Sequence, residues 1–173
     1  MNVHPTKWLA ALGLSALTAC SQGPSADVIA RFPVDDWDGL LARSGLHFDE
    51  TVTADGKGAL KITADEAMVI PLYDTGDLDV EDGFLLCDAQ VRLDGCEGIV
   101  YLELLCNFPD RGEYYSRGFD HAATGTSGGW VNSRARFFLR KGENPDNVRV
   151  NLVMTGPGTA WIDDIRFIAT AEG

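Results

Sequence analysis

From Leu46 onward, apolar residues recur at every second position in short runs that Gly, Asp, Asn and Pro interrupt. Leu85, Cys87, Ala89 and Val91 share one parity, opposite Gln90 and Arg92. Val100, Leu102, Leu104 and Cys106 repeat the pattern opposite Tyr101 and Glu103. A period of two marks a half-buried strand, because successive side chains point to opposite faces. Almost nothing has helical period. The pattern predicts strands near 46–52, 58–64, 67–73, 84–93, 98–108, 135–141, 147–154 and 159–168, with a further one within 30–34. Eight or nine antiparallel strands in one unit predict an all-β sandwich. Long links such as 109–133 and the lack of regular hairpins favour a jelly roll over a lipocalin-like barrel.

The last predicted strand is the most informative. It opens on a Gly-Pro-Gly turn at Gly156–Gly158, puts Trp161 and Ile162 on opposite faces, and then carries Asp163 and Asp164 between apolar neighbours. An ionised carboxylate is costly to bury unless donors or a cation satisfy it. This strand, "TAWIDDIRF", resembles the final strand of the jelly-roll carbohydrate-binding modules of the galactose-binding-like sandwiches. Asp55–Ile62, with its glycine turn, is similar to the strand after their first loop, and Gly83–Leu93 with Gly98–Phe108 to their central strand pair. The resemblance implies one such domain over 30–169 and a short tail at 170–173. It also implies a structural calcium ion bridging an early loop to the final strand. Its ligands would be one carboxylate of Asp163 and Asp164, with backbone oxygens around Gly56 and Gly58. Asp35, Asp36 and Asp38 are the only acids near the first strand that can stand in for a glutamate such modules often carry there. An aspartate that simply holds backbone amides is the plainer alternative.

The N-terminus sets the compartment. Lys7, an apolar run from Trp8 to Leu17 and small residues after it read as a secretory signal peptide over 1–19. Leu17-Thr-Ala-Cys20 resembles a bacterial lipobox, which implies a lipid on the Cys20 thiol, with palmitate among its acyl chains, and a lipoprotein of the cell envelope. Ser21 after it favours the outer membrane by the enterobacterial sorting pattern. Residues 20–29 then read as the lipidated cysteine and a polar tether. An ordinary secreted protein is the alternative.

Removing the signal leaves roughly 150 residues, the size of one domain. The formal net charge of -12 argues against nucleic acid as a partner. With Cys20 lipidated, Cys87, Cys96 and Cys106 remain, an odd number. Cys87 and Cys106 both carry the apolar parity, so a Cys87–Cys106 disulfide and buried free thiols both stay open. No C-x-x-C pair supports zinc.

The letters G-x-S-x-G occur at Gly125–Gly129, but inside the long 109–133 connection with no strand-to-helix pattern around them, so they make no nucleophile elbow. No H-E-x-x-H, P-loop or dinucleotide fingerprint occurs. Asp163 and Asp164 are neighbours on a strand and cannot flank one glycosidic bond from the same side. His47 and His121 lack a local partner pattern. The chain is therefore expected to bind rather than catalyse. A sugar site needs rings for the C–H faces of a pyranose and planar polar groups for its hydroxyls. Parity offers Arg92, Tyr101, Glu103 and Asn151 on what would be one sheet, and the long connection adds Tyr115 and Trp130. A solvated charge ladder of Arg92, Glu103 and Arg149 is the bland reading of that face. Of Tyr114 and Tyr115, at least one is expected in the core, and Trp130 as a plug under the loop. The leading expectation is an envelope lipoprotein that holds a glycan. A structural or assembly lipoprotein docking a protein partner is the rival.

Overall fold

The computed structural model describes residues 26–171. The signal peptide, Cys20 and the start of the tether lie outside them. Two antiparallel sheets pack face to face. One holds β1 (Ala26–Phe32), β2 (Leu46–Asp49), β3 (Ala59–Ala64), β5 (Gly83–Asp94), β9 (Val131–Leu139) and β11 (Gly158–Ala171), in the order β2-β3-β11-β5-β9 with β1 also on β11. The other holds β4 (Met68–Asp74), β6 (Cys96–Phe108), β7 (Gly112–Arg117), β8 (Ala123–Gly125) and β10 (Asn147–Met154), in the order β4-β10-β6-β7 with β8 also on β6.

The core lies where the inner parities meet. Leu85, Cys87, Ala89, Val91 and Leu93 face inward from β5, and Leu102, Leu104, Val150 and Leu152 from the opposite sheet. Burial along β5 alternates without a slip, as the sequence pattern requires. On β6 it does not: Val100 through Leu104 are all buried, so Tyr101 and Glu103 are covered on the outer face as well.

Three expectations change. The tether does not reach residue 29, since Ala26–Phe32 already pairs with β11. The long connection is not free of strands: β7, a 3-10 turn at Phe119–His121 and β8 lie within it. Its strands were illegible because β7 is exposed on nearly every residue and carries no apolar alternation. Tyr114 and Tyr115 are accordingly both exposed, at 49% and 63%, and neither is core. Third, Cys87 and Cys106 lie in opposite sheets, because the turn at Gly95 carries the chain from one sheet to the other. Both are free and buried, as is Cys96.

The centre of the first sheet is β11. Along one edge it pairs with β5. Along the other it pairs with β3 up to Ile162 and with β1 from Ile165 onward. Between Asp163 and Arg166 its register against β5 slips by one residue, a β-bulge. Asp164 there adopts φ 49°, the left-handed region that a short polar side chain tolerates. The bulge and the change of partner fall at the same place, and the loops that precede β2 and β3 close over it.

Candidate functional site

Two constellations emerge. The first is on the outer face of the second sheet. Asn151 of β10, Glu103 of β6 and Arg117 of β7 stand directly opposite one another across three strands. Asn151 Nδ2 donates to Glu103 Oε1 at 3.2 Å, and Arg117 Nε donates to Glu103 Oε2 at 2.8 Å. Both carboxylate oxygens are thus engaged. Asn151 Oδ1, by contrast, is buried with no hydrogen-bond partner. A buried carbonyl oxygen left unpaired is an acceptor waiting for a donor. Rings flank this row. Tyr101 packs edge-on against Phe119, centroids 4.8 Å apart, and Phe119 is 54% exposed. On the other side the Arg117 guanidinium sits 4.5 Å from the centre of the exposed Tyr115 ring. Arg149, further along β10, is fixed in a two-pronged pair with Asp74.

Of the residues predicted for a sugar face, Tyr101, Glu103, Asn151 and Tyr115 share one surface. Arg92 does not. It belongs to β5 in the opposite sheet, with its guanidinium over the Trp161 ring. The parity argument assumed that β5 and β6 were neighbours, and the sheet change at Gly95 defeats it. No ladder of Arg92, Glu103 and Arg149 exists for the same reason. Trp130 also stands apart: its Nε1 donates to the Thr53 carbonyl at 2.9 Å, tying the start of β9 to the loop before β3. Arg117 and Phe119 lie in the long connection, and only pairing of β7 with β6 brings them beside Glu103 and Tyr101.

The second constellation is at the β11 bulge. Asp35, Asp55 and Asp163 each offer an oxygen within 4.8 Å of the others. Asp163 is wholly buried, and its Oδ2 accepts from the Ala54 amide at 2.8 Å, while its Oδ1 has no partner. Asp35 Oδ1 is likewise buried and unpaired. Burial pushes the Asp163 carboxyl above its ordinary value, and the nearby Asp55 and Asp35 push it further, against the pull of two backbone amides. Lys57 offsets part of this charge through Asp35, at 3.2 Å. Three carboxylates that converge, two of them carrying a buried unpaired oxygen, fit a hard, oxygen-seeking cation such as calcium.

Asp164 is not part of that cluster. It pairs with Arg31 at 2.7 Å and with Arg166. Burial opposes its ionisation, but the bonds from Arg166 and Arg31 outweigh it and hold the carboxyl below its usual range. From the loop of Gly56 and Gly58, the member that joins the cluster is the Asp55 side chain.

Comparison with solved structures finds the same sandwich. The CBM22-1 xylan-binding domain from Paenibacillus barcinonensis Xyn10C superposes with a TM-score of 0.61 at 15% identity, over 88% of this chain and 99% of that one. The chain has the jelly-roll fold of carbohydrate-binding modules. A family 16 carbohydrate-binding module gives a TM-score of 0.56 at 10% identity, over 82% of this chain and 99% of that one. The CBM22-1 and GH10 modules of a Clostridium thermocellum xylanase, complexed with xylohexaose, give 0.60 at 12% identity, over 84% of this chain and 29% of that one. No family model matches the sequence, and no curated protein matches it.

Proposed function

We propose that this protein is a non-catalytic glycan-binding module, held at the bacterial cell envelope by a lipid on Cys20, and that it binds through the Tyr101–Glu103–Asn151 face. The observation that carries the reading is the buried, unpaired Asn151 Oδ1 beside the Glu103 carboxylate and between exposed rings. A sugar hydroxyl that displaces the cover over Asn151 would donate to that oxygen, with the exposed Phe119 and Tyr115 against C–H faces of the ring. Binding domains for xylan among the structural neighbours support a chain of pyranoses as the ligand. The same reading assigns a structural calcium ion to Asp35, Asp55 and Asp163, where it would tie the loops before β2 and β3 to the final strand. Structural neighbours that are carbohydrate-binding modules support binding without turnover.

A glycan-array screen of the protein with calcium, followed by calorimetric titration of the best hit, tests the reading. Asn151→Ala and Phe119→Ala should each weaken binding by about tenfold or more, the loss expected for a buried hydrogen bond or a stacking ring. Trp130→Ala should leave affinity unchanged. A blank array with folded protein would end the glycan reading and turn the search to a protein partner of the envelope.

A further inference from the structure

The sandwich has one edge where the outermost strands of both sheets, β7 and β9, run side by side. Gly118 makes this close approach possible: a Cβ there would lie 2.1 Å from the Arg134 carbonyl oxygen. Ser116 Oγ also donates to the Arg136 carbonyl across the seam. Two adjoining cavities, about 410 and 280 Å³, open along the seam and share Phe138.

Their chemistry is unlike that of the molecule as a whole. In a chain of net charge -12, five of the ten arginines line this seam: Arg111, Arg117, Arg134, Arg136 and Arg140. Three are matched, Arg111 by Glu143, Arg117 by Glu103 and Arg134 by Asp88. The side chains of Arg136 and Arg140 are exposed and their guanidiniums form no salt bridge among the described residues, although Glu143 accepts from the Arg140 backbone amide at 3.1 Å and Asp120 also lines the seam. Between them Phe138, 41% exposed, packs against Phe84 with centroids 5.2 Å apart. Two unbridged guanidiniums on either side of one open ring match a ligand that places carboxylates on either side of an apolar C–H face.

We propose that the β7–β9 seam binds an acidic polysaccharide, its carboxylates on Arg136 and Arg140 and a sugar face on Phe138. This rests on the glycan-binding reading and extends it, since Arg117 reaches both the Glu103 row and the seam. A polyuronate satisfies the seam in a way an acidic peptide does not, because each repeat supplies both a carboxylate and a stacking face.

Affinity electrophoresis and calorimetry of the full chain against polygalacturonate, its fully methyl-esterified form and polyglutamate decide the matter. The free acid should bind about tenfold or more tightly than the ester. Arg136→Ala combined with Arg140→Ala should remove that preference. Unfolding temperature checks that the variant is folded, and Arg43→Ala, remote from the seam, should leave the preference intact. Equal binding of acid and ester, displacement by polyglutamate as effective as by polygalacturonate, or no effect of the double variant would each overturn the proposal. If neutral glycans still bind through Asn151 in those cases, only the seam proposal falls. If no glycan binds at all, both readings fall together.

Discussion

Asp163 and Asp164 are adjacent in sequence and opposite in consequence. The folded state raises the Asp163 pKa above 3.8, so between the unfolded and folded values the native protein holds a proton that the unfolded chain has lost. Its contribution to stability is therefore present at low pH and is lost as pH rises through the folded value. Asp164 is lowered by its arginines, so its contribution is present above 3.8 and is lost as pH falls. A cation at the cluster reverses the first effect by favouring ionised Asp163. Thermal unfolding with chelator should thus show Asp163→Asn at least as stable as the parent near neutral pH, since an amide removes the buried charge. Added calcium should raise the unfolding temperature of the parent and leave the variant unmoved. A calcium response that survives Asp163→Asn would remove the ion from this cluster.

At the scale of elements, β11 governs the fold. Its first residue, Gly158, has φ 146°, and a Cβ there would come within 2.5 Å of the Cys96 Cα. That contact lets the start of β11 cross the sheet-changing turn between β5 and β6. Gly158→Ala combines an unfavourable backbone conformation with a clash against main chain. It should cost about 1–3 kcal/mol or more in urea unfolding. Gly129→Ala, with ordinary φ and nothing near its Cβ, should be close to neutral. Equal costs at the two positions would dismiss the crossing as a constraint. Strand existence was legible in the alternation of β5, β6 and β10. The short edge strands β7 and β8 were not, because exposed edge strands carry no inward stripe to read.

For the whole molecule, the two sheets seal Cys87 and Cys106 between them. Burial pushes the Cys87 thiol well above 9.0, with Asp88 adding to it, and the Cys106 thiol to about 12. Neither thiol has a thiolate fraction or an approach path in the folded protein. A thiol reagent at mildly alkaline pH should label both only on the timescale of global unfolding, and reductant should leave the unfolding temperature unchanged. A fall in that temperature on reduction would mean that a disulfide forms. The charge is also organised at this scale. An overall acidic chain gathers half of its arginines along one edge, and only the meeting of β7 with β9 creates that edge.

The sequence alone determined the all-β class, the inward parity of the long strands and the special standing of the acidic pair in the last strand. These follow from local rules: side chains alternate along a strand, and buried carboxylates need partners. It placed Tyr101, Glu103 and Asn151 on one face because their strands prove to be neighbours. Pairing across the chain is not a local property, and there the tertiary structure decided. It sent Arg92 to the other sheet and separated Cys87 from Cys106. It brought Arg117 and Phe119 beside Glu103 and Tyr101 and set Asp35 and Asp55, more than 100 residues earlier, against Asp163 rather than Asp164. A β-bulge of one residue chose between those two aspartates, and no alternation pattern announces where a strand will slip.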